Sequence, residues 1–330
     1  MGTGFSAQLQ DAIITKQLSV NGHRSDFASA SVSEIAMALA NENLNRLTIS
    51  FGLEDLPIEL SRISSLTRLN LGYNRLAAIP GCFTELRNLI ELNLDANRLT
   101  AFPMPVCELT GLQSLVLNGN KLRELPSGIS ALQRLRDFGL QQNCLTTLPG
   151  EMGCLTSLTA LYLQHNQLQR IPNDIAALSN LVILNVSYNY LTEAPFVGSL
   201  AYLAELDLSG NLLESIPMSM SLLSSLNRLF LDGNQLTSLP VGLFRGMTNL
   251  STLCIQNNAL MSLPADIHFL RSLCELRVDG NRIACLPPEL STLPQLVRLS
   301  AGPKKYLRLP PSCIIAQVCF VVIDIATYKH

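Results

Sequence analysis

The chain is poor in charge. Asp, Glu, Lys and Arg make up 15% of its 330 residues, and the formal net charge is −2. No basic excess is available to neutralise phosphates, so the composition argues against a nucleic-acid partner, and no acidic tail is present. Closely spaced cysteine pairs are missing as well. Cys82, Cys107, Cys144, Cys154, Cys254, Cys274, Cys285, Cys313 and Cys319 scatter without a C-x-x-C. They read as reduced thiols, mostly packed as small apolar residues. The first 25 residues hold no apolar run of signal-peptide type. The longest apolar tract, residues 313–326, carries Asp324 and is short of the ~20 residues a bilayer span requires. Together these absences point to the cytosol.

Catalytic signatures are absent too. No H-E-x-x-H, G-x-x-x-x-G-K-[ST], G-x-S-x-G or G-x-G-x-x-G occurs. The four histidines, His23, His165, His268 and His330, are far apart in sequence, which is not the clustering a metal site needs. The expectation is a non-enzyme with no catalytic residue, metal or cofactor.

What the chain has in abundance is repetition. LDLSGNLLESIP (206–217) returns as LNLDANRLTAFP (92–103), LYLQHNQLQRIP (161–172), LFLDGNQLTSLP (229–240) and LRVDGNRIACLP (276–287). Aligned on L-x-x-L-x-L-x-x-N-x-L-x-x-L-P, the first position falls at Leu44, Leu66, Leu89, Leu112, Leu135, Leu158, Leu181, Leu203, Leu226, Leu250, Leu273 and Leu296. These are twelve copies, spaced 23 apart except for two of 22 and one of 24. The L-x-L core alternates with period two and predicts a short strand with its leucines inward. The asparagine (Asn74, Asn97, Asn120 and their successors) follows the strand, where backbone groups turn inward and need partners; its amide can bridge adjacent turns. Proline (Pro80, Pro126, Pro172, Pro217) opens a return segment whose I-x-x-L spacing suits a short helical turn. One copy cannot bury its own apolar face, and its neighbours do so for it.

This pattern is the leucine-rich repeat signature, and its resemblance covers about residues 44–310. It implies an α/β solenoid: a curved horseshoe of about twelve 23-residue repeats. A parallel β-sheet would line the concave face, with short helical or irregular segments on the convex face. Residues 1–43 are expected to form an N-terminal cap. There QLSV (17–20) would add one strand and 31–41 a helix, spaced as in the ribonuclease inhibitors, and Ser31 and Glu34 make a candidate capping box. Residues 311–330 would cap the other end. Neither end looks like the cysteine-rich caps of secreted members.

Specificity in such a fold resides in the outward positions of the sheet. Large apolar side chains concentrate at Tyr162, His165, Ile183, Tyr188, Tyr190 and Phe230, with Asp137, Glu205, Asp207 and Asp232 around them and Arg228 among them. Aromatic anchors ringed by charge have the composition of a binding hot spot. The candidate partner-binding set is therefore Tyr162, His165, Ile183, Tyr188, Asp207, Arg228, Phe230 and Asp232. The outward columns mix both signs, with Arg46 and Arg68 leading, which again argues against nucleic acid. The opening MGTGFS matches the N-myristoylation pattern at Gly2. Such a chain would be a weak anchor, since one myristoyl group needs a second signal.

The L-P-x-x-I-x-x-L repeats resemble the cytosolic Ras-suppressor and plant intracellular Ras-group leucine-rich repeat proteins. That resemblance implies a signalling scaffold or adaptor, cytoplasmic or membrane-associated, with a small GTPase, kinase or phosphatase as partner. Two alternatives stand beside it. VGLFRGMTNL (241–250) resembles linkers of extracellular members such as toll-like receptors, and sequons occur at Asn185 and Asn249; both fit a secreted receptor or effector. A substrate-recruiting adaptor of a ligase or phosphatase fits equally.

Overall fold

The computed structural model describes residues 44–50 and 52–302, with the backbone alone at 17–21. The chain divides into two compact halves, Met1–Gln167 and Leu168–His330. In the first half lie β1 (Gln17–Asn21), β2 (Arg46–Ser50), β3 (Arg68–Asn70), β4 (Glu91–Asn93), β5 (Ser114–Val116), β6 (Asp137–Gly139) and β7 (Ala160–Tyr162). The second holds β8 (Ile183–Asn185), β9 (Glu205–Asp207), β10 (Arg228–Phe230), β11 (Thr252–Cys254), β12 (Glu275–Arg277) and β13 (Arg298–Ser300). Within each half the strands pair in parallel and in chain order. β1 is the extra strand expected at 17–20, with Leu18 in register with Leu47. The helix expected at 31–41, the cap at 311–330 and Gly2 lie outside the described residues.

Register places identical positions of successive repeats side by side. Leu69, Leu92 and Leu115 align across β3, β4 and β5, and Leu206 aligns with Leu229 across β9 and β10. The central residue of each of these strands is buried between neighbours that are more exposed. A slip of one residue would turn that column to solvent. Below it, Leu66, Leu89 and Leu112 in the first half and Leu203, Leu226 and Leu250 in the second have no exposed surface.

The return segments are 3-10 helices, five residues each from Ile58–Arg62 to Pro288–Thr292 except Leu243–Gly246, which has four. Leu60 N–H donates to Pro57 O at 3.2 Å and Phe83 N–H to Pro80 O at 3.1 Å, the i→i+3 bonds of that helix type. No α-helix occurs among the described residues. Spacing explains this. Parallel strands repeat every ~4.8 Å, whereas packed α-helices need about 8–10 Å, so a slimmer 3-10 turn stacks closer to the sheet period.

The asparagine column is the bridge the sequence anticipates. Asn97 Oδ1 accepts Leu76 N–H at 3.0 Å, while Nδ2 donates to Leu71 O at 2.9 Å and Leu94 O at 3.0 Å. Asn120 repeats this set in the first half, and Asn211 and Asn234 in the second. All are buried. The preceding residue is left-handed in every described repeat from Tyr73 onward. It is glycine at Gly119, Gly210, Gly233 and Gly280 but not at Tyr73, Ala96, Gln142, His165, Tyr188 and Asn257.

The cysteines correct one expectation. Among the described residues, only Cys107 and Cys254 are buried, whereas Cys154 and Cys285 are exposed and Cys82, Cys144 and Cys274 lie between. Cys254 closes β11, and Cys107 lies in a 3-10 helix, as do the less buried Cys82 and Cys154.

Candidate functional site

Alternation along a strand turns the residues on either side of the buried leucine away from the core. In the first half this puts Tyr162 half-buried at the end of β7, and His165 follows as an exposed, left-handed residue with φ 57. Gln164, between them, donates its Nε2–H to Gln141 Oε1.

The other six candidates belong to the second half. Ile183 opens β8, Asp207 closes β9, and Arg228 and Phe230 open and close β10. Register sets Phe230 beside Asp207 and Arg228 beside Glu205, and the Arg228 guanidinium forms an ion pair with that glutamate. Asp207 Oδ1 accepts the Ser209 N–H at 2.9 Å and the Ser209 hydroxyl at 2.6 Å. Burial pushes the Asp232 carboxyl above the usual carboxylate range; a backbone hydrogen bond opposes this, Asp207 and Asp279 add to it, and Arg277 counters them. Asp207, Arg228, Phe230 and Asp232 thus share one patch.

Tyr188 is 54% exposed and left-handed, with φ 52. Its ring lies across Gly210, where a Cβ would stand 2.8 Å from Tyr188 Cδ1. Gly210, itself at φ 61, provides both the turn and the seat for the ring. Tyr188 and Ile183 come from the same repeat, one repeat before Asp207.

Farther along this half the face is ionic. Glu275 holds Arg277 at 2.6 Å and Arg298 at 2.8 Å. Cys254, beside Phe230 in the register, has its thiol pushed up to about 12, chiefly by burial. It is apolar filling and not a nucleophile. No cluster of three or more His, Cys, Asp or Glu placed to hold a metal occurs among the described residues. No described helix is long and apolar enough to cross a membrane.

Sequence reasoning missed a hollow of about 290 Å3 on the first half's sheet, lined by Arg46, Thr48, Arg68, Asn70, Glu91, Asn93 and Ser114, among others. Its signal is visible in the columns: two arginines lead one outward position and two asparagines stand together in the next.

The leucine-rich repeat family model matches residues 110–168 and 224–283. No curated protein matches the chain significantly. Among solved structures, a leucine-rich repeat protein of Leptospira interrogans is 30% identical, covering 90% of this chain and 86% of its own, with TM-score 0.61. The ectodomain of the Arabidopsis thaliana membrane receptor kinase GASSHO1/SCHENGEN3, solved in complex with Casparian strip integrity factor 2, is 31% identical with TM-score 0.74. The match covers 86% of this chain and 36% of that one. An internalin of Listeria monocytogenes shares the fold at 20% identity and TM-score 0.82, covering 98% and 95% of the two chains. The chain belongs to the leucine-rich repeat proteins.

Proposed function

We propose that the protein is a non-enzymatic interaction scaffold that docks a protein partner on the outward sheet face of its second half. Asp207, Arg228, Phe230 and Asp232 form the centre, with Ile183 and Tyr188 beside them. Tyr162 and His165 are a further contact area of the first half. The observation that carries this reading is Tyr188. A bulky residue in the left-handed region is strained by about 1–2 kcal/mol; four repeats relieve this with glycine, at Gly119, Gly210, Gly233 and Gly280, and five besides Tyr188 keep a non-glycine residue. Here an aromatic ring is kept there, laid over a glycine and half exposed, and such outliers cluster at binding sites.

The repeat family is one of binding scaffolds, and solved relatives include a receptor ectodomain with a bound factor. The resemblance to Ras-suppressor and Ras-group proteins supports the finer part: a small GTPase, kinase or phosphatase in cytoplasmic signalling, with Gly2 as a weak lipid anchor. A receptor or secreted effector is the second reading, favoured by the plant ectodomain and the internalin. The Asn185 sequon separates the two. Asn185 lies on the outward face of β8, and its Oδ1 accepts the Ser187 hydroxyl at 2.7 Å. A glycan there would occupy the docking face.

Affinity purification with mass spectrometry, wild type against Tyr188→Ala/Phe230→Ala, tests the proposal. A protein lost only from the folded variant supports it. Identical captures by both would sink it.

A further inference from the structure

The hollow on the first half's sheet has Leu47, Leu69, Leu92 and Val116 in its lining, and its polar groups are arginines, asparagines and hydroxyls around one carboxylate, Glu91. Arg46 and Arg68 are side by side in the register of β2 and β3. Like charges directly opposite on a sheet repel, and only one of them is compensated: Arg68 pairs with Glu91 at 3.1 Å. Arg46 has no acidic partner among the described residues.

Next to the arginines stand Asn70 and Asn93, adjacent in β3 and β4. Their acceptors are already used. Gly72 N–H donates to Asn70 Oδ1 at 2.9 Å, and Asp95 N–H donates to Asn93 Oδ1 at 2.7 Å. A backbone N–H fixes each carbonyl oxygen, so each Nδ2 is left as the outward group. Neither Nδ2 has an acceptor among the described residues. Gly72 permits this arrangement, since a Cβ there would lie 3.2 Å from Asn70 Oδ1 and 3.3 Å from Asn93 Oδ1.

Two guanidinium groups and two amide NH2 groups therefore line one open hollow whose single carboxylate is engaged. Such a set is complementary to an acceptor with two oxygens and a negative charge. We propose that this hollow is a carboxylate-binding site for an acidic peptide segment, with Arg46 as the principal anchor and Asn70 and Asn93 as donors. The carboxylate is either an Asp or Glu side chain or a chain terminus. The site is distinct from the second-half face and does not depend on it.

Fluorescence anisotropy with three labelled octapeptides tests this on the full chain. One carries two internal glutamates and an amidated end, one has neutral side chains and a free C-terminal carboxylate, and one has glutamines and an amidated end. We expect one or both carboxylate peptides to bind, and which of them does identifies the source. The glutamine peptide is expected to bind at least ten times more weakly. Arg46→Gln, at an exposed position, should keep the wild-type melting curve and lose roughly tenfold in affinity, the scale of one charge-assisted hydrogen bond. Arg271→Gln, at an exposed position of the other half outside both proposed sites, should change nothing. Equal binding of all three peptides, binding of none, or unaltered affinity in Arg46→Gln with the fold intact would each overturn the assignment.

Discussion

The two halves use the same interior and different exteriors. In the first, the face of β2 to β5 offers Arg46, Arg68, Asn70 and Asn93, with one acid among them. In the second, every glutamate on the strands is matched by arginine, Glu205 with Arg228 and Glu275 with Arg277 and Arg298. The aromatic Phe230 and the acid Asp207 stand beside the first of these pairs on β10 and β9, and Asp232 follows β10. Yet the leucine columns and the asparagine bridges beneath are the same in both. Inward positions are held by burial and by backbone groups that must be satisfied. Outward positions carry no such constraint, so two chemistries sit on one scaffold.

That sameness of the interior is the easiest part to break. Asn120→Ala in the first half and Asn211→Ala in the second each remove an acceptor and two donors from buried backbone groups. Each should lower unfolding stability by about 3 kcal/mol, at 1–3 kcal/mol per orphaned group with partial relaxation. Urea unfolding followed by circular dichroism checks this, and equal losses in both halves are expected. A loss in only one half would mean the ladders are not equivalent.

Glycine conformation distinguishes two turns within the second half. Gly210→Ala and Gly233→Ala both force alanine into left-handed backbone, a cost of about 1 kcal/mol. Only at Gly210 does the new Cβ also meet a side chain, Tyr188, at 2.8 Å; at Gly233 the nearest atoms are 3.6 Å away. Gly210→Ala should therefore be the more destabilising, and Gly210→Ala/Tyr188→Ala should return to the level of Gly233→Ala. The same melts provide the comparison. Near-equal single mutants would show that Tyr188 is not seated on Gly210.

Binding should follow the exterior. Phe230→Ala should weaken the partner by over ~1 kcal/mol in calorimetry, as an aromatic anchor does. Its effect on fold should be small beside that of the asparagines.

The smallest effect is one of pH. The Asp232 carboxyl is raised in the folded state. The folded protein therefore holds that proton more tightly than the unfolded chain, and stability falls as pH rises through the folded value. Asp232→Asn should give a slight gain in urea midpoint near neutral pH. The gain should vanish below about pH 3.9, where the unfolded aspartate is also protonated.

Much of this was legible because one period recurs. Leu44 through Leu296, the asparagines and the prolines identify strands, bridges and returns from spacing alone, and Gln17–Asn21 extends the sheet as expected. The 3-10 character of the returns was not, since an i, i+3 pair such as Ile129 and Leu132 suits either helix. The left-handed turn was half visible: glycine marks it at 119, 210, 233 and 280, but Tyr188 and His165 reveal it only through the backbone. The exposed thiols of Cys154 and Cys285 contradict a reading based on residue type. The candidate set was legible as columns, but its pairing was not. Arg228 with Glu205 follows from register, and the donor hollow emerges only when the oxygens of Asn70 and Asn93 are seen to be occupied.

The central claim is that the second half binds through its sheet face. Hydroxyl-radical footprinting, with and without a captured partner, tests it directly. Tyr188 and Phe230 report that face, and the exposed Met218 and Leu222 report the 3-10 side of the same half. The account predicts reduced oxidation of Tyr188 and Phe230 with Met218 and Leu222 unchanged. Protection of Met218 and Leu222 with the two aromatics unchanged would contradict it.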